Sequence, residues 1–340
     1  MSEAPAFWWK KPDWRALALS PLSALYGAVA RRRLLHAVPP EMPAPVLCIG
    51  NFTVGGAGKT PTAIALAKAA QALGLTPGIV SRGYGGAFSG VHRVDPSNDT
   101  ATLTGDEPLL LARHAPVAVS VDRAAAARLL ISEGCDFLIM DDGFQSARLY
   151  IDYALLVVDT TRGIGNGRVI PAGPLRAPLA DQLRKADALL KIGAGNAAAE
   201  VFQQAAKIGK PAYTARLGPS STARISGRRF LAFAGIGNPD KFFASLGEMG
   251  GVPALTRSFS DHHPYTQDEI GELMQTAAAG DLELVTTAKD HVRLVTAPGT
   301  PQRFLDKLRV IDIELVFDQS DITGRIIEAA RERYHQRIKG

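Results

Sequence analysis

Residues 46–62, VLCIGNFTVGGAGKTPT, constrain this chain more than any other stretch. The apolar run 46–49 predicts a buried strand. The glycine-rich segment after it ends in Gly58-Lys59-Thr60 and passes into an alanine-rich helical pattern over 63–73. Strand, loop and helix in that order are the context in which a phosphate-binding loop works. Glycines let backbone N–H groups turn toward phosphate oxygens, because a Cβ would block the approach. The positive end of the following helix adds to the same pull. Lys59 would reach the β- and γ-phosphates, and the Thr60 hydroxyl would ligate Mg²⁺. Pro61 is tolerated in a first helical turn. Thr53, Val54, Gly55, Gly56, Ala57, Gly58, Lys59 and Thr60 are therefore the candidate nucleotide-binding residues. The usual pattern has a glycine where this chain has Thr53, and the doubled Gly55-Gly56 points to a subtype. A glycine-rich turn without a ligand is the plainer alternative, and the flanking strand and helix argue against it.

A chain of 340 residues exceeds one small domain, so two are expected. Hydrophobic residues at 46% and charged residues at 21% describe a globular protein with a substantial core. A net charge of +5 and a pI near 9.2 favour anionic partners. No stretch mixes Lys and Arg with aromatics as a nucleic-acid groove would, so no nucleic acid is expected. Nor does any feature call for an obligate protein partner. Cys48 and Cys135 each border an apolar strand and read as small buried hydrophobes, not a disulfide or a metal pair.

The N-terminus places Phe7, Trp8 and Trp9 beside Lys10 and Lys11. After Trp14, an uncharged run over 16–30 is closed by Arg31-Arg32-Arg33. The run is too short to span a bilayer as a helix, which needs about 20 residues. Tryptophans and flanking cations suit a segment lying in the membrane interface. A secretory signal is the rival, since Ala28-Val29-Ala30 resembles a cleavage site. It is rejected because the nucleotide strand begins soon after, and triphosphate is a cytoplasmic resource. A helix packed on the protein's own core remains the bland alternative.

Downstream, strand and helix patterns alternate. Strands are expected over 76–80, 116–121, 137–141, 153–158 and 188–192, then over 230–234, 282–287 and 310–316. Helices are expected over 109–114, 124–133 and 240–249. A capping box, Thr266 to Glu269, opens one more, and a basic helix closes the chain over 320–338. Arg82 lies in the loop Ser81-Arg82-Gly83-Tyr84-Gly85-Gly86, at a strand's carboxyl end, where open α/β sheets bind ligands. It could hold phosphate bidentately or be a plain surface arginine. Thr104-Gly105-Asp106-Glu107-Pro108 reads alone as a helix cap. Asp141-Asp142 ends an apolar strand and supplies the acid a phosphate loop needs for Mg²⁺. The long loop 166–176 carries Arg168 and Arg176, which either meet an anionic substrate or are solvated. His262-His263 suggests zinc, but no further Cys or His stands at ligand spacing.

Taken together, these motifs resemble the tetraacyldisaccharide 4′-kinase family of Gram-negative bacteria. The resemblance runs from about Trp14 to Arg293 and rests on Gly50-Asn51 through Pro61, Ser81 to Gly86 and Gly105 to Pro108. It rests equally on Asp141 to Gln145, Val169 to Arg176 and Asp261-His262-His263. It implies ATP- and Mg²⁺-dependent phosphorylation of the 4′-hydroxyl of a tetraacylated glucosamine disaccharide 1-phosphate, a lipid A precursor, giving the 1,4′-bisphosphate. It also implies peripheral association with the anionic cytoplasmic face of the inner membrane. By resemblance, Asp106 is the catalytic base and His262 supports it, while Glu107, Asp141 and Asp142 join Thr60 at Mg²⁺. Arg82, Arg123 and Arg176 are candidates for phosphate contacts in substrate binding. Two positions depart from the family pattern, Ser146 in place of His and Ala177 in place of Glu. Asp106 and His262 lie far apart in sequence, which predicts a cleft that closes to complete the site.

The expected fold is a phosphate-loop α/β protein, a mostly parallel sheet with helices on both faces. Its parts are an interfacial helical segment (1–45), a kinase core (46–222), a smaller α/β unit (223–318) and a C-terminal helix (319–340). The alternative function is a nucleotide-switch ATPase serving a membrane-associated partner. Such proteins carry a lysine immediately before the two glycines, where this chain has Val54.

Overall fold

The computed structural model describes residues 4–56, 58–219 and 225–340. Two helices, α1 (Trp14–Ala18) and α2 (Ser20–His36), precede the first strand, β1 (Val46–Asn51). All six residues of β1 are buried. Leu47 and Ile49 enter one apolar layer and Val46 and Cys48 the other, as a strand covered by helices on both faces requires. The chain continues through α3 (Lys59–Ala72), β2 (Pro77–Ser81), β3 (Val91–Arg93), α4 (Ala101–Thr104) and α5 (Asp106–Ala112). Next come β4 (Val117–Ser120), α6 (Arg123–Ser132), β5 (Phe137–Asp141), β6 (Tyr153–Asp159), α7 (Leu179–Lys185), β7 (Ala188–Ile192), α8 (Ala199–Lys207) and β8 (Ala212–Pro219). A second run holds β9 (Arg229–Ala234), α9 (Pro239–Glu248), β10 (Val252–Ser258), α10 (Gln267–Ala279), β11 (Glu283–Thr287), α11 (Ala288–Thr296), α12 (Gln302–Leu305) and β12 (Leu308–Ile311). The chain closes with β13 (Ile313–Phe317) and α13 (Ile322–Lys339).

Among the described residues the strands form two sheets. The larger has nine strands in the order β13-β8-β7-β6-β1-β5-β2-β4-β3, and the smaller has four in the order β10-β9-β11-β12. The larger is parallel except at its edges, where β3 pairs antiparallel with β4 and β13 with β8. The smaller is parallel throughout. This is the mostly parallel α/β architecture expected. Because β1, β5 and β6 run parallel as neighbours, their carboxyl ends share one edge of the sheet. That edge is where doubly wound sheets bind ligands.

The structure changes several expectations. The single strand expected over 310–316 is two, interrupted at Asp312. β12 belongs to the smaller sheet, whereas β13 crosses back to the edge of the larger. The span 223–318 is therefore not one unit. Its last strand lies with the nucleotide core, as does α13, whose Ile322, Ile326 and Ile327 pack into the core beneath β1. β8 and β10 form where no strand is expected. β10 is a sheet edge with no fully buried residue, so it lacks the apolar run that announces a strand. The expected boundary between 222 and 223 lies outside the described residues. Phe7 and Trp8, expected at a membrane interface, are buried with Ala16, and Trp8 Nε1 donates to the Pro171 carbonyl at 3.0 Å. Cys48 and Cys135 are free and buried, as expected. Among the described residues, no helix is long and apolar enough to cross a membrane.

Candidate active site

The loop after β1 is held open from within. Asn51 Nδ2 donates to the Gly55 carbonyl at 2.9 Å, and Gly55 and Gly58 take φ values of 102° and 90° that favour glycine. Lys59 and Thr60, the first residues of α3, are buried at the sheet edge. Lys59 Nζ lies 3.7 Å from Asp142 Oδ1 and donates to the Gly55 carbonyl at 3.4 Å. Thr53, which replaces the usual glycine, bridges to Leu175, and Val54 N donates to the Pro174 carbonyl at 3.0 Å. The glycine- and proline-rich loop 166–176 is therefore a wall of the phosphate loop. Ala57 lies outside the described residues.

The acids at the end of β5 have distinct environments. Asp142 sits at φ 52°, a conformation few non-glycine residues adopt. Its Oδ1 and Oδ2 accept from Arg176 Nη1 and Nη2 at 2.7 and 3.0 Å, a bidentate pair. Burial pushes its pKa up, but Lys59 and Arg176 outweigh burial and hold the carboxyl below the usual range. Asp141 is also buried, and its Oδ1 has no hydrogen-bond partner among the described residues. Burial first, then the nearby charge of Glu107, drives its pKa upward. A buried carboxylate oxygen without a donor fits a cation. Among the described residues no three His, Cys, Asp or Glu side chains are grouped to hold a metal alone. An ion at Asp141 would therefore share its ligands with Thr60 and the nucleotide phosphates, as Mg²⁺ does.

Asp106 and Glu107 occupy the first turn of α5, beyond the cap position expected of them. Gly105 precedes them at φ 91°, where a Cβ would lie 2.8 Å from the Tyr84 carbonyl. Gly86 serves the same close approach, since a Cβ there would lie 2.5 Å from the Leu103 carbonyl. Asp106 is 3% exposed, and its Oδ2 lies 3.0 Å from His262 Nδ1, 156 residues away in sequence. Burial alone would raise its pKa. The His262 hydrogen bond and the charges of Lys289, His262 and Arg293 reverse that and lower it to about 2. His262 is raised in turn, chiefly by the same hydrogen bond. Like Asp142, His262 holds a positive φ, 59°, the kind of strain that gathers at functional sites. His263 turns away, meeting Glu269 at 2.9 Å and stacking on Phe259.

Of the arginines expected at phosphate, Arg176 reaches the loop through Asp142 and the Thr53 carbonyl, which its Nε meets at 3.0 Å. Arg123 is 3% exposed, donates from Nη2 to the Asp142 carbonyl at 3.2 Å and leaves Nη1 without a partner among the described residues. Arg82 is exposed, with its charge felt by Arg123. Ser146 donates to the Gly143 carbonyl at 2.8 Å, and Ala177 is fully buried. Sequence reasoning missed Lys289 and Arg293 of α11. Lys289 pairs with Glu107, and Arg293 Nε lies 3.3 Å from Asp106 Oδ2. The signal available was their spacing of four, directly after a strand ending in a capping threonine.

A phosphate loop facing a buried carboxylate–imidazole pair is the equipment of a phosphotransferase, because a hydroxyl acceptor must lose a proton as it attacks. Comparison with known proteins agrees. The sequence profile of the tetraacyldisaccharide-1-P 4′-kinase family matches residues 15–331. Relatives named tetraacyldisaccharide 4′-kinase from Brucella melitensis and Brucella canis are each 62% identical over 339 residues, covering 100% of this chain and 99% of theirs. The Aquifex aeolicus protein of that family, solved in complex with ATP, shares the fold with a TM-score of 0.71 at 24% identity, covering 93% of this chain and 99% of its own. The chain belongs to the tetraacyldisaccharide 4′-kinase family.

Proposed function

We propose that this protein transfers the γ-phosphoryl group of ATP to the 4′-hydroxyl of a tetraacylated glucosamine disaccharide 1-phosphate. The observation that carries the reading is the 3.0 Å contact between Asp106 and His262, beside Glu107, which feels the charge of Lys59 in the phosphate loop. The phosphate loop, with Lys59 at its end, holds the triphosphate. Asp106, ionised at neutral pH, accepts the hydroxyl proton, and His262 fixes the carboxylate's orientation and balances its charge. Asp141 and Thr60 would hold Mg²⁺, which neutralises charge on the β- and γ-phosphates. Asp142 is better placed as the anchor of Arg176 and Lys59, since Arg176 occupies both its oxygens. Glu107 lies near enough for its charge to act on Asp141 and to feel Lys59.

The acceptor is a lipid, and α1 and α2 support its delivery from a membrane surface. Ser23 and Gly27, one turn apart, are the buried residues of α2, with Ser23 Oγ donating to the Val169 carbonyl at 2.6 Å. Six large apolar residues of α1 and α2 point outward: Trp14, Leu17, Leu22, Leu25, Tyr26 and Val29 are all exposed. A globular protein docks a helix by its large apolar face, so this inversion, beside Arg31-Arg32-Arg33, suits an anionic bilayer surface. We place the protein peripherally on the cytoplasmic face of the inner membrane.

The test is transfer from γ-labelled ATP to the tetraacyl disaccharide 1-phosphate in mixed micelles. A labelled bisphosphate lipid is expected. ATP hydrolysis without lipid product would sink the reading.

A further inference from the structure

Helix α11 presents two cations to the first turn of α5. Lys289 and Arg293 are four residues apart and so lie on one face, opposite the adjacent acids Glu107 and Asp106. The two cations are not equivalent. Arg293 is fixed: Nη2 donates to the Gly235 carbonyl at 2.7 Å and lies 3.0 Å from Asp290 Oδ1. Its Nη1 donates to the His263 carbonyl at 3.2 Å, and Nε faces Asp106. Asp290 is itself buried and bound by Gly235 N, the Tyr265 hydroxyl and the Thr287 hydroxyl. Arg293 thus holds Asp106 and the His262 loop in register, with each of its three nitrogens engaged.

Lys289 is different. Its partner among the described residues is Glu107, one of the acids beside the nucleotide site. Its head group also lies close enough to feel Asp106 and Asp261. Burial draws its pKa down, but Glu107 and Asp106 more than reverse this and keep it charged. A lysine is a point charge on a flexible stem, so it changes partners without stranding a rigid fork of donors. Its ammonium lies within reach of both Asp106, the proposed base, and Glu107, whose charge reaches Asp141 and Lys59.

We propose that Lys289 is a catalytic cation, exchanging Glu107 for the oxygens of the transferring γ-phosphoryl group when the donor nucleotide is bound. The inference rests on the kinase reading above. The acceptor oxygen bonds to phosphorus, and the bond from phosphorus to the oxygen retained by ADP breaks, its electron pair staying on ADP. The hydroxyl proton passes to Asp106, and Lys289 gives up no proton. Charge spreads over the phosphoryl oxygens in such a step, where a positioned cation is most effective.

The test compares the full-length wild type with Lys289→Met, Lys289→Gln and Lys289→Arg. For the first two, kcat should fall about 10²–10³-fold with KM for ATP nearly unchanged, the size seen on losing one preorganised donor. Lys289→Arg should recover part of the loss. Calorimetry gives the readout independent of turnover. Binding of Mg-ADP should be unchanged, while binding of Mg-ADP with aluminium fluoride, a mimic of the transferring group, weakens by a comparable factor. Lys289→Gln serves if melting curves show that Lys289→Met is unfolded. Turnover within about threefold of wild type, or equal weakening of both complexes, would overturn the role of Lys289. A wild type that makes no phosphorylated lipid would instead overturn the kinase reading itself.

Discussion

Asp106 is a carboxylate in a place that should resist ionisation, yet its neighbours hold its pKa near 2. The cost of burying its charge is offset by His262 and Arg293, so the base is ready at any physiological pH. Asp106→Ala should lower kcat by about 10²–10⁴-fold, the usual worth of general-base help, with ATP affinity unchanged by calorimetry. The histidine side of the pair titrates. His262 is raised above its ordinary 6.5, so the folded state binds that proton more tightly than the unfolded chain. Its stabilisation is complete below about pH 6.5 and disappears as pH rises through the folded-state value. The melting-temperature gap between wild type and His262→Gln should therefore be widest near about pH 6 and narrow toward about pH 9. A gap that is constant or widens with pH would show that the ion pair is not its source.

The element that departs most from ordinary packing is α2. It docks through Ser23 and Gly27, where a Cβ on Gly27 would lie 3.8 Å from Pro178, and turns its bulk outward. Replacing Leu22 and Leu25 by Glu should cut sedimentation with anionic vesicles by tenfold or more, since each buried leucine is worth about 1.5–3 kcal/mol. Sedimentation equal to wild type would return those leucines to chance exposure. Element by element, the chain was legible wherever the signal was local. The phosphate loop is local, as is the Thr266–Glu269 capping box, which forms as expected. The outward face of α2 was legible as composition, whereas Phe7 and Trp8 show that composition does not tell an interfacial aromatic from a docked one. β13 was not legible, because a single residue, Asp312, separates two strands that serve different sheets. Lys289 and Arg293 were not legible either. A lysine and an arginine on a helix face ordinarily point to water, and only the return of α11 against α5 makes them partners of Asp106 and Glu107.

Across the whole molecule, acids on the nucleotide core meet cations from the segment that carries the smaller sheet. Asp106 meets His262 and Arg293, Glu107 meets Lys289, and Asp159 at the end of β6 meets Lys241 at 3.5 Å. The expected closing of the cleft is not needed to bring Asp106 and His262 together. The C-terminal helix is tied to the nucleotide core as well. Arg337 of α13 reaches Asp152 at 2.8 Å, Glu41 at 3.0 Å and the Met42 carbonyl at 3.1 Å, and Asp152 accepts from Val46 N at the start of β1. Arg337→Ala would leave the buried Asp152 carboxylate unpaired, at a cost of roughly 3 kcal/mol, read as a lower denaturant midpoint. An unchanged midpoint would show the clamp to be ornamental. The loop 166–178 joins the remaining extremes, since Val169 and Pro178 meet α2 while Pro174 and Leu175 brace the phosphate loop. This loop therefore couples the position of α2 to that of the phosphate loop, so a displacement of the one is passed to the other.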